Sequence, residues 1–353
     1  MKKEMSIIEA KHEAQKIAFA PLFFQAMVAL KKLGILKLIA ENNRGITIAD
    51  IAEKSKISLY GAKVLLEAAA SADVVEYLND NTVKLTKIGY ILHIDRITEV
   101  NMDFVNDVCY DGAKFLTESI QTGKPAGLKT LGSWPTVYEG LSQLPDEIKK
   151  SWFAFDHHYS DDVFPAALEI VFKDNPGVIF DIGGNTGKWA FACCRYNPDV
   201  KLKIFDLPGQ LAVAQQNAAT LGLQDRIEFH TINVLDETQQ LPAGADVIWM
   251  SQFLDCFSEN EIVAILKNVY RAASEKTFVY ILEPFIDNQK FDAANYCLTG
   301  TSLYFTAIAN GNSKMYALDA MKQLAQDAGL QVIETIPLIR GGYHTILKCM
   351  KAH

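Results

Sequence analysis

Apolar residues at Leu22, Phe23, Ala26, Met27 and Leu30 recur three and four positions apart, and Ile35, Leu36 and Ile39 continue the pattern after a break. That spacing predicts two helices, each with one buried stripe. Thr47 stands where a cap would open a short helix within Ile46 to Ala52, and Ser58 opens a second that runs through Leu66. Val74 to Leu78 and Thr82 to Leu85 flank the turn-rich Asn79-Asp80-Asn81 and read as a hairpin. Helix, turn, helix and hairpin over about residues 7–93 predict a winged-helix arrangement. From Glu99 to Phe172 the periodicity stays helical, broken at Gly123-Lys124-Pro125 and Leu144-Pro145. Aromatic residues crowd this stretch, among them Tyr138, Trp152, Phe153, Phe155 and Tyr159. Most are expected in the core, with a few left to line an apolar pocket.

Beyond Pro176 short apolar runs alternate with helical segments. Val178–Ile182, Leu202–Asp206, Ile227–Thr231, Asp246–Met250, Phe278–Leu282, Val332–Pro337 and His344–Lys348 read as strands. Lys188–Tyr196, Gln210–Leu221, Glu261–Ala273 and Asp319–Ala328 read as helices between them. Such alternation predicts a parallel sheet covered on both faces. The last two strands are joined only by Leu338 to Tyr343, too few residues for a crossover helix, so they are expected to pair as a hairpin. The expected fold is therefore α/β, a mostly parallel sheet with one antiparallel strand. Residues 1–98 are expected to form a helical N-terminal domain and 99–353 the rest, with the α/β core at 176–353.

Composition narrows the function classes. Over 353 residues, 49% apolar and 22% charged content describe a globular chain with substantial cores. A net charge of -8 argues against a non-specific grip on nucleic acid or on an anionic membrane. The second helix of the N-terminal region offers Leu59, Tyr60, Val64, Leu65 and Leu66 instead of base-reading side chains, so packing and dimerisation are favoured over DNA readout. Six scattered cysteines suggest neither a metal site nor a disulfide framework, which points to a reducing cytoplasm. The first residues hold no hydrophobic signal core, and Ala18 to Leu30 is too short to span a bilayer.

The candidate chemistry sits at the first two strand ends. The run Val178 to Gly187 reads acid-x-Gly-Gly-x-x-Gly from Asp181 and opens into a helix; Asp206 ends the next strand nineteen residues past Gly187. Glycines allow a tight turn and a close backbone approach to a ligand. An acid at the second strand's tip accepts hydrogen bonds from both ribose hydroxyls. The order of these residues points to S-adenosylmethionine more than to a dinucleotide, whose fingerprint would want a glycine where Asn185 stands. His157 and His158 point about 100° apart on a helix and make a poor metal pair. One is expected at the surface, the other in packing or against substrate, and no metal is expected.

On these residues the chain resembles the S-adenosylmethionine-dependent O-methyltransferase family that includes plant caffeate-type and bacterial antibiotic-tailoring enzymes. The matching segments are Asp181 to Gly187, Phe205-Asp206-Leu207-Pro208, Phe253 to Ser258 with Ile265-Leu266-Lys267-Asn268, and Ala309 to Lys314. The resemblance spans nearly the whole chain. It implies a class I methyltransferase sheet, a homodimer formed through the N-terminal winged-helix domain, and a small-molecule acceptor with an aromatic or polyketide-type hydroxyl. It further implies that Asp181, Gly183, Gly184 and Gly187 shape the loop around the cofactor's amino-acid end, and that Asp206 takes the ribose hydroxyls with Leu207 against adenine. Asn233 would meet the adenine amino group and Val234 its apolar wall, while Ser251 and Ser160 would reach the cofactor. Phe155, His157, His158 and Ser313 would face the acceptor.

Besides Ile232-Asn233-Val234, which stand where the family usually has Gly-Asp followed by Phe or Met, two catalytic positions depart from the family. Its catalytic histidine corresponds to Asp255, and the glutamate that orients that histidine corresponds to Ser313; Glu283 matches the family's other glutamate. Asp255 is read either as a replacement base, helped by Glu283 or by one of His157 and His158, or as a helix cap or substrate-binding group. A base of this type typically contributes ~10²–10⁴-fold, so its weakening slows a methyl transfer without abolishing it. Loss of the usual pair also keeps open decarboxylase- or hydroxylase-like chemistry with the same cofactor, and, less favoured, a ligand-sensing regulator.

Overall fold

The structure, a computed structural model, describes residues 5–78, 81–338 and 343–352, with Ser160 and Asp161 described by backbone alone. The chain divides into two compact units, Met1–Asn106 and Asp107–His353. The first is mostly helical: α1 (Ile7–Lys32), α2 (Ile35–Glu41), β1 (Ile46–Thr47), α3 (Ile48–Lys54), α4 (Leu59–Ser71), β2 (Val75–Tyr77), β3 (Thr82–Leu85), α5 (Lys87–Ile94) and α6 (Arg96–Phe104). The caps are where the sequence places them. Thr47 Oγ1 accepts the Asp50 N–H at the start of α3, and Ser58 Oγ accepts that of Gly61 at the start of α4. β2 and β3 pair antiparallel, with β1 on the far side of β3; residues 79 and 80, in the expected turn, lie outside the described residues. Met27, Leu30, Ile35, Leu36, Ile39, Ile51 and Leu66 pack into one core. Leu22, expected on the buried stripe of α1, is 66% exposed instead, and Ile7, Ile8, Ile17 and Phe19 on the same helix are exposed too. A lone helix of this length leaves its first half with nothing in its own unit to cover it.

The second unit opens with α7 (Leu116–Thr122), α8 (Val137–Gly140), α9 (Asp146–Ser160) and α10 (Phe164–Val171). It continues through β4 (Val178–Ile182), α11 (Lys188–Tyr196), β5 (Lys201–Asp206), α12 (Pro208–Leu221), β6 (Ile227–Thr231), β7 (Val247–Ser251), α13 (Glu259–Ala272) and β8 (Phe278–Glu283). The final elements are α14 (Asp292–Tyr304), α15 (Leu318–Asp327), β9 (Leu330–Pro337) and β10 (Thr345–Lys351). The seven strands lie in the order β6-β5-β4-β7-β8-β10-β9, all parallel except β10, which runs against both of its neighbours. The two strands on either side of Leu338 to Tyr343 therefore pair as expected, although residues 339–342 of their connection lie outside the described residues.

Alternation along the strands divides the core between the two faces of the sheet. Phe180, Ile182, Ile248, Met250, Val279, Ile281 and Leu347 meet α13 and α15 on one face. Ile179, Leu202, Ile204, Val247, Trp249, Tyr280 and Ile346 meet α10, α11 and α12 on the other. On that second face Trp189 of α11 stacks on Trp249 of β7, centroids 4.0 Å apart and planes within 13°. Truncation of Trp249, which is 0% exposed, should cost roughly 3–5 kcal/mol. Urea unfolding of Trp249→Ala against the parent chain measures this, and a loss below about 1 kcal/mol would mean that the stack is not part of the core's stability.

Candidate active site

The site forms where β5, β4, β7 and β8 end side by side. After β4 the chain turns at once through Gly183, whose φ is +73°; a Cβ there would lie 2.2 Å from the Phe253 ring. Gly187 has φ +87°, and its Cβ would meet Phe191 at 2.5 Å. Glycine alone meets the demands of both backbone and space. At Gly184 a Cβ would lie 2.7 Å from Asp181 Oδ2. Asn185, at φ 48°, takes the left-handed bend that asparagine tolerates. Its N–H donates to Asp206 Oδ2 at 2.8 Å, and the Leu207 N–H donates to Asp206 Oδ1 at 2.6 Å. The acid that ends β5 thus fastens the loop that follows β4.

Beside this loop Asp181 is buried and Asp206 is partly buried. Burial pushes Asp206 up to about 6, against the two amide bonds that hold it down. Burial, then the charge of Asp206, pushes Asp181 up to about 8. Asp181 Oδ2 and Gln252 Nε2 are buried without a hydrogen-bond partner among the described residues. These two atoms, with Gly183, Gly184, Asn185, Trp189, Trp249 and Ser251, line one cleft. A left-handed loop that a Cβ would fill, an acid with unused lone pairs, and orphaned polar atoms fit S-adenosylmethionine, which has a ribose at one end and a zwitterionic amino acid at the other.

The remaining expected cofactor contacts are less uniform. Val234 is partly buried against the core. Asn233 is exposed, and its Oδ1 already accepts the Leu235 N–H at 3.1 Å, which leaves the carbonyl one lone pair for a ligand. The side chain of Ser160 lies outside the described residues. His157, expected toward the acceptor, lines the nucleotide cleft, with Nδ1 3.8 Å from Asp156 Oδ2 and its ring stacked on Phe153. His158 stands edge-on to Tyr159, and Phe155 tilts against the same ring at 4.8 Å. Both histidines are partly buried, so neither is the surface residue that their spacing suggests.

At the other side of the site Gln252 bends at φ 46° after β7, and the turn Leu254–Cys256 carries Asp255 inward, where it is 5% exposed. Glu283, 2% exposed at the end of β8, accepts the N–H groups of Phe253 and Leu254 on Oε1 at 3.0 and 2.9 Å. Its Oε2 is buried with no hydrogen-bond partner among the described residues. Asp255 does not cap the following helix. Ser258 does so, in a capping box with Glu261, which removes that alternative for Asp255. Burial pushes Asp255 up to about 6, while the Cys256 thiol, 3.5 Å from its Oδ1, and the neighbouring Glu283 carboxyl hold it down. Burial and the charge of Asp255 push Glu283 well above the usual carboxylate range. Of this pair, Glu283 therefore keeps its proton to higher pH than Asp255 does.

Ser313 stands where the resemblance puts an orienting glutamate. It is 4% exposed, and its Oγ donates to Asn310 Oδ1 at 3.1 Å, while Asn310 Nδ2 donates to the Cys256 carbonyl at 2.5 Å. The serine thus braces the turn that carries Asp255 through one intermediary. Sequence reasoning missed Asn310, Gln252, Asp156 and Tyr138 as site residues. Tyr138 was grouped with the core aromatics, and only its buried, unpartnered hydroxyl sets it apart.

Comparisons with known proteins bear on the domains and the fold. A Dimerisation2-like domain matches residues 11–82 and an O-methyltransferase domain matches residues 165–331. The L-tyrosine C(3)-methyltransferase of Streptomyces lavendulae is 23% identical over 316 residues, 89% of this chain and 85% of that protein. The mitomycin 7-O-methyltransferase MmcR has the same fold, with a TM-score of 0.73 at 18% identity over 97% of this chain and 98% of that one. So has the O-methyltransferase NcsB1 from neocarzinostatin biosynthesis, solved with S-adenosylmethionine and 2-hydroxy-5-methyl naphthoic acid. Its TM-score is 0.66 at 22% identity over 93% of this chain and 95% of that one.

The buried acids set a pH dependence. Asp181 keeps its proton up to about 8 in the folded chain but ionises near 3.8 when unfolded, and Asp206 and Asp255 keep theirs up to about 6. The folded state binds the extra protons, so the stability they provide is complete below about pH 4 and is lost as the pH rises toward 8. The unliganded protein should melt at a lower temperature at pH 8 than at pH 5.5, and Asp181→Asn should flatten the change above pH 6. A melting temperature that climbs over this interval in the parent chain would contradict the protonation assigned to these acids.

Proposed function

We propose that this chain, which carries a Dimerisation2-like domain and an O-methyltransferase domain, methylates a hydroxyl of a small aromatic or polyketide-type compound with S-adenosylmethionine, with Asp255 receiving the hydroxyl proton. The observation behind this is a buried Asp255 beside a buried Glu283, after strands adjacent to the one that carries the nucleotide loop. When bound, S-adenosylmethionine supplies an electrophilic methyl group on a positively charged sulphur. Asp206 would hold the ribose hydroxyls, Leu207 and Val234 would flank adenine, and Asn233 would accept from its amino group. The Gly183–Gly187 loop, Asp181, Ser251 and Ser160 would enclose the amino-acid end. Phe155, His158 and Ser313 belong to the acceptor side of this reading.

Glu283 has a defined task here. Its Oε1 fixes the turn through two backbone N–H groups, and its retained proton spares Asp255 a second negative charge at close range. Proximity and alignment do most of the work in a methyl transfer, so a carboxylate of modest basicity suffices as the base. Transfer to a ring carbon beside the hydroxyl would use the same base, and the relative from Streptomyces lavendulae is named for such a product.

Residues 1–98 are assigned to homodimerisation through a winged-helix arrangement, and 99–353 to cofactor and acceptor. The exposed Ile7, Ile8, Ile17, Phe19 and Leu22 on α1 support an interface between copies. A net charge of -8 supports an enzyme that takes no nucleic acid or membrane as partner, and six cysteines without a pairing pattern support a cytoplasmic location. Among the described residues no helix is long and apolar enough to cross a membrane.

Calorimetric titration with S-adenosylmethionine and S-adenosylhomocysteine should show binding of both, after which phenols are screened for added methyl mass and the methylated atom is located by NMR. Asp255→Asn should lower kcat by ~10²–10⁴-fold while cofactor affinity stays within about threefold of the parent. In the parent chain kcat/KM should rise as the pH passes through about 6, where Asp255 ionises. Undiminished turnover in Asp255→Asn would remove it as the base.

A further inference from the structure

Around Asp255 and Glu283 the described residues gather hydroxyl and thiol groups, and none of the described cations pairs with either acid. Cys256 Sγ lies against Asp255 Oδ1, Tyr316 Oη donates to the Phe257 carbonyl at 2.6 Å, and Trp152 Nε1 donates to Tyr304 Oη at 2.8 Å. Tyr138 Oη is buried without a hydrogen-bond partner among the described residues, as is Glu283 Oε2. The carboxylates reach all four groups: Asp255 and Glu283 act on Cys256 and Tyr316, Asp255 on Tyr138, and Asp156 on Tyr304, with Glu259 and Glu261 behind Tyr316. No lysine, arginine or histidine among the described residues perturbs Asp255 or Glu283. Lys314 does lie 5.6 Å over the Tyr316 ring, but its side chain is 59% exposed and pairs with Glu259.

From this arrangement we infer that the acceptor enters with no negative charge, as an aromatic hydroxyl compound that bears no carboxylate and still holds its hydroxyl proton. A buried carboxylate without a counter-ion is costly, and a second anion buried beside it raises that cost. With an uncharged acceptor every charge in the transfer cancels. The methyl–sulphur bond breaks with its electrons staying on sulphur, a lone pair of the hydroxyl oxygen forms the new bond, and the hydroxyl proton passes to Asp255. A positive donor, a carboxylate and a neutral acceptor then become three neutral products. An acceptor carboxylate would leave one uncompensated charge buried throughout.

This inference rests on the base assigned to Asp255, but it is tested without turnover. Para-hydroxybenzamide and para-hydroxybenzoate have nearly the same size and differ by one charge. With S-adenosylhomocysteine at saturation and at about pH 7.5, ligand-observed NMR titration should find the amide bound at least about tenfold more tightly than the acid. The gap should close in Asp255→Asn. It should also narrow in the parent chain near pH 5.5, where Asp255 takes up its proton while the probe's carboxylate stays charged, so the result does not depend on the variant folding. Equal or tighter binding of the acid, a gap that survives both changes, or binding of neither probe would overturn the inference. Failure of S-adenosylhomocysteine to bind would instead count against the methyl-transfer reading, since the probes can still be compared in its absence.

Discussion

Four carboxyl groups brought together at one edge of a parallel sheet are the constraint around which this molecule is arranged. Asp206 ends β5, Asp181 lies one residue from the end of β4, Asp255 follows β7 and Glu283 ends β8, on four strands that are consecutive in the sheet. All four are buried or nearly so, and like charges at this spacing in a poorly polarisable interior cannot all persist. The backbone answers first. N–H groups of Asn185 and Leu207 turn to Asp206, and those of Phe253 and Leu254 turn to Glu283. The left-handed bends at Asn185 and Gln252 stand at the head of those two loops.

Protons provide the rest of the answer. The row resolves into two pairs, Asp181 with Asp206 and Asp255 with Glu283, and in each pair one member keeps its proton to higher pH than the other. Each pair then carries about one negative charge near neutrality instead of two. One residual charge sits beside the nucleotide loop, where hydroxyl donors are wanted. The other sits at Asp255, where a proton acceptor is wanted. The electrostatic compromise that lets the sheet edge exist also sorts its acids into different roles.

Much of this was legible in the chain. The strands at Val178, Ile227 and Phe278 begin where the apolar runs begin, and α11 spans the same residues that the pattern gives it. Turn and cap chemistry at Thr47, Ser58 and the glycine loop is local, so a few residues suffice to read it. The state of Asp255 was not readable, because it depends on Glu283 from another strand and on a turn held by Asn310, more than fifty residues away. The placement of His157 was lost for the same reason: a helical wheel gives the angle between neighbours but not which wall the helix faces. The buried stripe assigned to Leu22 failed differently, since periodicity reports that a face is apolar and not what covers it.

The position of β10 bears on how the chain reaches this state. β10 lies between β8 and β9 although it follows both in sequence, and β9 joins the sheet only through β10. The edge of β8, a strand buried along nearly its whole length, therefore stays unpaired until residues 345–351 have been synthesised. During translation the nucleotide loop, the paired acids and five of the seven strands can assemble while that apolar edge is open. Only pairing with β10 covers it, and β9 is held in turn through β10. Sheet closure is thus a late, long-range event, and the interval before it is when this protein is most exposed to strand-edge association.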